Sequence, residues 1–421
     1  MYKRRIAGAL ALVGALALTS AACGGDESSS TGSATSTKPA AAMTPATKGT
    51  VTVWTYDAKG TTYKLLVEAF EKKFPNVTVK VQYVPTDQIH NKLLAAASAR
   101  TGPDVIQYNG AFTKKLAEAG ALDDMTGYWD AYRERDQFPD VRLAKVGSRV
   151  YGVQAYLNLN ALWYNQDILD ELGQTPPKTL DEMTDVLAAV AASGKYKGLQ
   201  IPGTPAVEGE WISKPFMASH GAVQFDQLGD SGVHDAFALV EEWIAKGYVD
   251  KATTNLNQTD GMPKFVAGKT AFFVGGNWLL KPALDQAHFK LGAIPMPAGP
   301  AGPGIVEAGG EMFSIGAFSK DPELAWGFLE NTWLSEEGER TLLETTGSIP
   351  SRADAGVSAS TSSSQLGAYV DAAKTAIQLS SDTESTLAMG NLWSSLFAGQ
   401  VDADGAAERA GKIAASAGSD S

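Results

Sequence analysis

Apolar positions near the start of the folded body switch repeatedly between a period of two and helical spacing. Val51-Thr52-Val53-Trp54-Thr55-Tyr56 is rich in β-branched and aromatic residues and predicts a strand. Tyr63, Leu66, Val67, Phe70 and Phe74 then recur at helical spacing and stop at Pro75. Val77, Val79, Val81 and Tyr83 alternate with Thr78, Lys80 and Gln82, which predicts a second strand. Ile89, Leu93 and Ala96 share one face of a helix over about 86–99, and residues 104–108 predict a third strand. This β-α-β-α-β succession predicts an α/β fold with a mostly parallel sheet and helices on both faces.

Later segments repeat the theme less regularly. Residues 180–192 and 234–246 read as helices, the latter ending at Gly247. Residues 270–274 form a strand running into Gly275-Gly276, and 291–295 form another, followed by a Gly/Pro/Ala loop over 298–304. Residues 321–332 and the tail from 366 onward read as helical, and 357–364 as an exposed loop. No internal repeat is evident.

The N-terminus reads as targeting rather than fold. Lys3, Arg4 and Arg5 precede an apolar run from Ile6 to Leu18, then Thr19-Ser20-Ala21-Ala22-Cys23. The run is short for a bilayer span and ends in small residues, as a signal peptide over 1–22 does. Cys23 is the single cysteine, so it forms no internal disulfide. Its placement resembles a bacterial lipobox, with Ser20 where leucine is common, and marks Cys23 as the lipidation site. Residues 23–48 are Gly, Ser, Thr, Ala and Pro with few large apolar residues, a composition suited to a flexible linker.

A chain of 421 residues exceeds one compact core and predicts two domains. Removing the three positive residues of the leader takes the formal charge from −12 to −15. So acidic a surface excludes nucleic acid and anionic lipid as ligands.

Candidate chemistry falls at strand ends, where open α/β sheets bind ligands. The first strand ends at Trp54-Thr55-Tyr56-Asp57 and the third at Tyr108-Asn109-Gly110. Sugars present apolar C–H faces rimmed by hydroxyls, so their sites combine flat rings with carboxylates or amides. Trp211, Trp278 and Trp393 each follow glycines, which suggests loop rings open to a ligand. Catalytic readings find less support. Gly229-Asp230-Ser231-Gly232 resembles a serine-protease motif but lacks its companions, and a helix cap explains Asp230 and Ser231 better. His90, His220, His234 and His288 are scattered and make no metal set. Glu208, Glu210, Glu307 and Glu311 leave open a glycosidase carboxylate pair.

An ordered set of fragments carries a family likeness. It runs Val51-Thr52-Val53-Trp54; Phe70 to Pro75; Gly102-Pro103-Asp104-Val105; Tyr151-Gly152-Val153; Tyr164 to Leu169; Pro176 to Glu182; Phe265 to Ala271; Gly276-Asn277-Trp278; Gly309-Gly310; and Ser319-Lys320 with Ala325-Trp326. From about residue 50 to 410 the chain resembles the family 1 extracellular solute-binding proteins of ABC importers, which include maltodextrin-binding protein. Gln154 stands where proline is usual and Leu180 where tryptophan is common.

The resemblance implies a two-lobed periplasmic-binding-protein fold with three hinge crossings. Lobe 1 is then 49–157 with 309–334, and lobe 2 is 158–308 with 335–421. It implies a sugar or oligosaccharide held in the interlobe cleft by Tyr56, Asp57, Lys59, Tyr108 and Asn109 from lobe 1. Asn158 and Glu311 fall at hinges, Trp211, Trp278 and Trp393 would stack from lobe 2, and Arg352 is a further contact. Also implied are ABC permease subunits as partners, a monomer, no cofactor, no catalysis, and residence on the extracellular face of the cell membrane through the lipid anchor only. The alternatives are the same fold holding a non-sugar solute, and a secreted glycan hydrolase.

Overall fold

The computed structural model describes residues 42–56, 61–229, 231–252, 254–356, 364–378, 380 and 382–417. The signal peptide, Cys23, Asp57, Lys59, Asp230 and nearly all of the 357–364 loop lie outside the described residues, as does most of the linker.

The elements that position the site begin with β1 (Lys48–Thr55), α1 (Thr61–Lys73), β2 (Asn76–Tyr83), α2 (Thr86–Ser98) and β3 (Val105–Asn109). Next come β4 (Leu143–Val146), β5 (Arg149–Gln154), β6 (Asn160–Asn165), α3 (Leu180–Ser193), β7 (Lys197–Gln200) and α4 (Ala206–Ser219). The chain continues through α5 (Ser231–Ala245), β8 (Thr270–Gly276), β9 (Leu291–Ile294) and β10 (Glu311–Ile315). It ends with α6 (Pro322–Asn331), α7 (Thr383–Phe397) and α8 (Ala403–Ala417).

The helices start where side chains can cap them. Thr179 accepts the Glu182 amide at 3.1 Å and opens α3, which closes at left-handed Gly194. Asp321 accepts the Leu324 amide at 3.0 Å before Pro322 at the head of α6.

The fold is two-lobed α/β, with one sheet in each lobe. The first has the order β2-β1-β3-β10-β5-β4 and the second β9-β6-β8-β7. The expectation of mostly parallel sheets holds for β1, β2 and β3, and again for β7 with β8, but every other pairing within these two sheets is antiparallel. The cause is the crossing chain. β10 begins directly after Gly309-Gly310, at the edge where β3 ends, so Glu311 pairs with Asn109. β6 likewise begins where β8 ends, pairing Asn160 with Gly276. A strand entering a sheet from the cleft must run against those that finish there.

Two cores sit behind these sheets. One gathers residues such as Leu162, Trp163, Phe216, Trp243, Phe272 and Trp393; the other gathers Val51, Val53, Phe70, Val105, Phe313 and Trp333. A smaller cluster around Ile89, Leu93, Ile106, Tyr108 and Met312 covers the opposite face of the first sheet. Helix Glu336–Thr346 serves both sides: Leu342 packs with the core around Val51 and Phe70, and Leu343 with the core around Leu162 and Trp163.

Side-chain amides tie the crossings together. Gln154 Nε2 donates to the Ala308 and Gly309 carbonyls at 3.1 Å each. Asn277 Nδ2 donates to Leu157 O at 3.0 Å and Gly347 O at 2.9 Å, while its Oδ1 accepts the Leu159 amide at 2.8 Å. Gly310 takes φ +121, and a Cβ there would lie 2.0 Å from Tyr156 O, so only glycine fits this crossing.

Candidate ligand-binding cleft

The lobe 1 side is built from strand ends. Tyr56 follows β1, Asn109 closes β3 and Glu311 opens β10, and all three are partly exposed. Asn109 Oδ1 accepts the Ala111 amide at 3.0 Å, turning the chain into the short helical turn Gly110–Phe112. His90, from α2, lies flat on Phe112 with ring centroids 3.6 Å apart and planes 8° apart. Its Nε2 accepts the Asn109 amide at 3.3 Å. Burial lowers the His90 pKa to about 3, so the imidazole is neutral and serves as that acceptor.

The opposite side is aromatic. Trp211 projects from α4 and Trp278 from the turn after β8, and their rings stack at 5.5 Å with planes 25° apart. Trp211 Nε1 donates to Glu307 O at 2.9 Å. Ala111 and Phe112 from the first side pack with Trp211, Trp278 and Val207 in one cluster. Thr383 Oγ1, at the head of α7, donates to Ala111 O at 2.6 Å. The Asn158 amide donates to Gly309 O at 2.8 Å, and Asn158 Oδ1 accepts from Ser348 Oγ at 3.1 Å. The two sides therefore touch directly beside the crossings.

One carboxylate at this junction lacks a partner. Glu311 Oε2 is buried and makes no hydrogen bond, and burial raises the Glu311 pKa to about 8. In this conformation the group is largely protonated at neutral pH, ready to give or accept one hydrogen bond.

Three expected contacts sit elsewhere. Tyr108 is 0% exposed; its ring fills the core behind β3, and its hydroxyl meets Thr113 Oγ1 at 3.3 Å. Trp393 is 1% exposed, packed by Phe216, Phe237 and Phe397 with Nε1 donating to Pro202 O at 2.9 Å. Neither ring has a face to offer a ligand. Arg352 is engaged by Glu134 at 2.7 Å, Asp354 at 2.6 Å, the Tyr132 hydroxyl and Leu334 O. It is a structural pin near the third crossing. Tyr56, Asn109, Asn158, Trp211, Trp278 and Glu311 remain as candidates, with Trp211 on a helix and only 9% exposed rather than on an open loop.

Sequence reasoning missed Phe112, His90 and Thr383. Phe112 carried a usable signal, lying in the same strand-end loop as Asn109. His90 had none, because a lone histidine on a helix shows nothing of the ring it covers. Of the four carboxylates weighed for glycoside hydrolysis, two come together and both are tied to one lysine. Glu208 accepts from Thr204 and the Gln258 amide, while Glu210 and Glu307 are buried around Lys214.

Two lobes joined by three crossings, meeting at rings and amides beside the crossings, define a hinged solute-binding protein. The model of the bacterial extracellular solute-binding protein family matches residues 54–339, and the chain belongs to that family. Among relatives, it is 26% identical over 290 residues to the maltodextrin-binding protein MdxE of Bacillus subtilis, covering 64% of this chain and 66% of that one. It is 24% identical over 308 residues to the melibiose/raffinose/stachyose-binding protein MelE of the same organism, covering 66% and 68%. Among solved structures, the GacH receptor of Streptomyces glaucescens, seen unliganded and with acarbose, superposes with a TM-score of 0.78 at 23% identity, covering 87% of this chain and 97% of that one. MalE from Bdellovibrio bacteriovorus, bound to maltotriose, gives 0.73 at 18% identity, covering 87% and 99%.

Proposed function

We propose that this chain captures a sugar or oligosaccharide between its lobes and delivers it to the permease subunits of an ABC importer. The observation that carries the reading is the Trp211–Trp278 stack meeting Phe112 across the cleft, flanked by Asn109, Asn158 and Glu311. Rings exclude water and cover C–H faces, while amides and a carboxyl pair with hydroxyls. Asp57 and Lys59 extend this polar set by resemblance. Contact with both lobes exists only when they close, and that difference draws the hinge shut around the ligand. The sugars bound by MdxE, MelE and the structural neighbours support this ligand class.

The finer reading follows the same logic. The leader 1–22 is removed, Cys23 is acylated, and 23–48 tethers the body to the extracellular face of the membrane. Lobe 1 is 49–157 with 309–334 and lobe 2 is 158–308 with 335–421, the last boundary lying just before the helix Glu336–Thr346 that packs on both cores. The protein works as a monomer without a cofactor. Capture rather than cleavage is favoured because Glu208, Glu210 and Glu307 are committed to internal partners.

A thermal-shift panel tests the proposal. Maltotriose, chitooligosaccharide, xylooligosaccharide and raffinose are set against amino acids and iron chelates. A sugar at a hundredfold its dissociation constant adds about 2.7 kcal/mol of stability, a rise of about 3 °C for a body this size. A shift with amino acids or chelates and none with any sugar would sink the ligand class. New reducing ends on incubation would make it a hydrolase.

A further inference from the structure

One helical turn of α4 carries a charged cluster that the cleft itself does not use. Glu210 and Lys214 stand four residues apart and meet Glu307, which belongs to the two-residue strand Glu307–Ala308 leading into the second crossing. Lys214 Nζ lies 2.9 Å from Glu210 and 3.3 Å from Glu307, and 4.9 Å from the centroid of the Phe225 ring. Exposure is 0% for Glu210 and 2% each for Lys214 and Glu307.

Two carboxylates around one ammonium would leave a net negative charge in a dry interior, which is costly. Burial, and then the adjoining Glu210, push the Glu307 carboxyl well above its usual range. Burial acts against the Lys214 ammonium, but the two carboxyl groups outweigh it and hold it charged. With one proton on Glu307 the cluster is neutral overall, and Glu307 is the member a carboxamide can replace.

The geometry ties this cluster to the cleft. Trp211 sits between Glu210 and Lys214 on α4, and its indole N–H donates to the backbone carbonyl of Glu307 itself. Two residues further along the chain from Glu307, a Cβ on Gly309 would lie 3.1 Å from the Trp211 ring. The helix bearing the indole and the strand accepting its N–H are thus joined by the same ion pairs.

We propose that Glu210, Lys214 and Glu307 are positioning residues for Trp211, clamping α4 to the strand that enters the second crossing and holding the indole against Trp278. In its consequence for affinity the inference rests on reading the cleft as a sugar site; in its structural content it does not.

The experiment uses the full mature chain without ligand. Among the described residues Trp211 and Trp278 form the one close tryptophan pair, so they are the source of an exciton couplet in circular dichroism. Trp211→Phe and Trp278→Phe assign the couplet by abolishing it. Lys214→Met leaves two buried carboxyls with no cation, and the couplet is expected to fall by roughly half or more at a temperature where the protein is fully folded. Should that variant not fold, the charge-free triple variant Lys214→Met/Glu210→Gln/Glu307→Gln keeps the shapes and is expected to fold with the same loss. Glu307→Gln alone mimics the protonated form and should retain the couplet. A full couplet in the folded Lys214 variant overturns the proposal, as does its loss in Glu307→Gln. In a wild type that binds maltotriose, Lys214→Met should also weaken binding by about tenfold. If the wild type binds no sugar, the functional reading fails while the couplet still decides this one.

Discussion

Trp211 and Trp393 look alike in the sequence, each two or three residues past a glycine, yet they do opposite things. Gly209 and Gly390 face each other where α4 crosses α7: a Cβ on Gly209 would lie 2.7 Å from Gly390 O. From that crossing Trp211 points toward Trp278 and the cleft, and Trp393 points into a nest of Phe216, Phe237 and Phe397. The glycines permit close helix packing rather than ligand approach. A glycine beside a tryptophan marks a tight crossing, and only the tertiary neighbours decide which ring reaches a ligand.

The largest way to break this comparison is Trp393→Ala. Removing a fully buried indole and its hydrogen bond to Pro202 O should cost about 3–5 kcal/mol of stability, read by denaturant unfolding. Ligand affinity, measured well below the melting transition, should stay unchanged. A large loss of affinity with stability intact would return Trp393 to the site and erase the contrast. Trp211→Ala is the mirror experiment. It should weaken sugar binding by about tenfold to thirtyfold, corresponding to about 1.4–2 kcal/mol, with a smaller loss of stability than Trp393→Ala. Titration calorimetry and chemical unfolding together separate the two effects.

The same contrast explains what the sequence disclosed. The β1-α1-β2-α2-β3 run was legible because each element keeps one period for its whole length, and the lobe 1 polar residues followed from knowing where those strands end. Helix α4 was not legible: it is buried nearly all round and carries Pro215 inside it, so no amphipathic face announces it. Tyr108 misled because it ends a strand beside Asn109, and alternation sends neighbouring side chains to opposite faces. Arg352 misled because each of its guanidinium nitrogens is engaged, by Glu134, Asp354, Tyr132 and Leu334, partners spread over 220 residues of chain.

Glu311 sharpens the polar half of the comparison through pH. Its pKa is about 8 in the folded chain against 4.5 for the free side chain, so the folded state holds a proton that the unfolded state releases. Its contribution to stability is therefore full below pH 4.5 and is lost as pH rises through about 8. Asp123, Glu208, Glu307, Glu330 and Glu339 are raised in the same direction, so the wild-type slope is shared with them. The difference between wild type and Glu311→Gln isolates the one group. The variant should lose stability less steeply between pH 5 and 8, measured as the unfolding midpoint at several pH values; identical slopes would place Glu311 in water, away from the junction.

The smallest expected effect tests whether the two sides of the cleft hold each other. Thr383 Oγ1 and Ala111 O form a single buried hydrogen bond between the head of α7 and the turn after β3. Thr383→Val keeps the shape and removes the donor, leaving a carbonyl short of one partner. One such bond is worth about 0.5–1.5 kcal/mol, and it exists only when the sides touch, so its loss should move the hinge toward the open state by that amount. Small-angle scattering of the unliganded chain should show a larger radius of gyration, and saturating sugar should restore the compact value. An unchanged radius together with unchanged affinity would mean that Phe112 against the Trp211–Trp278 pair closes the cleft without help from this bond.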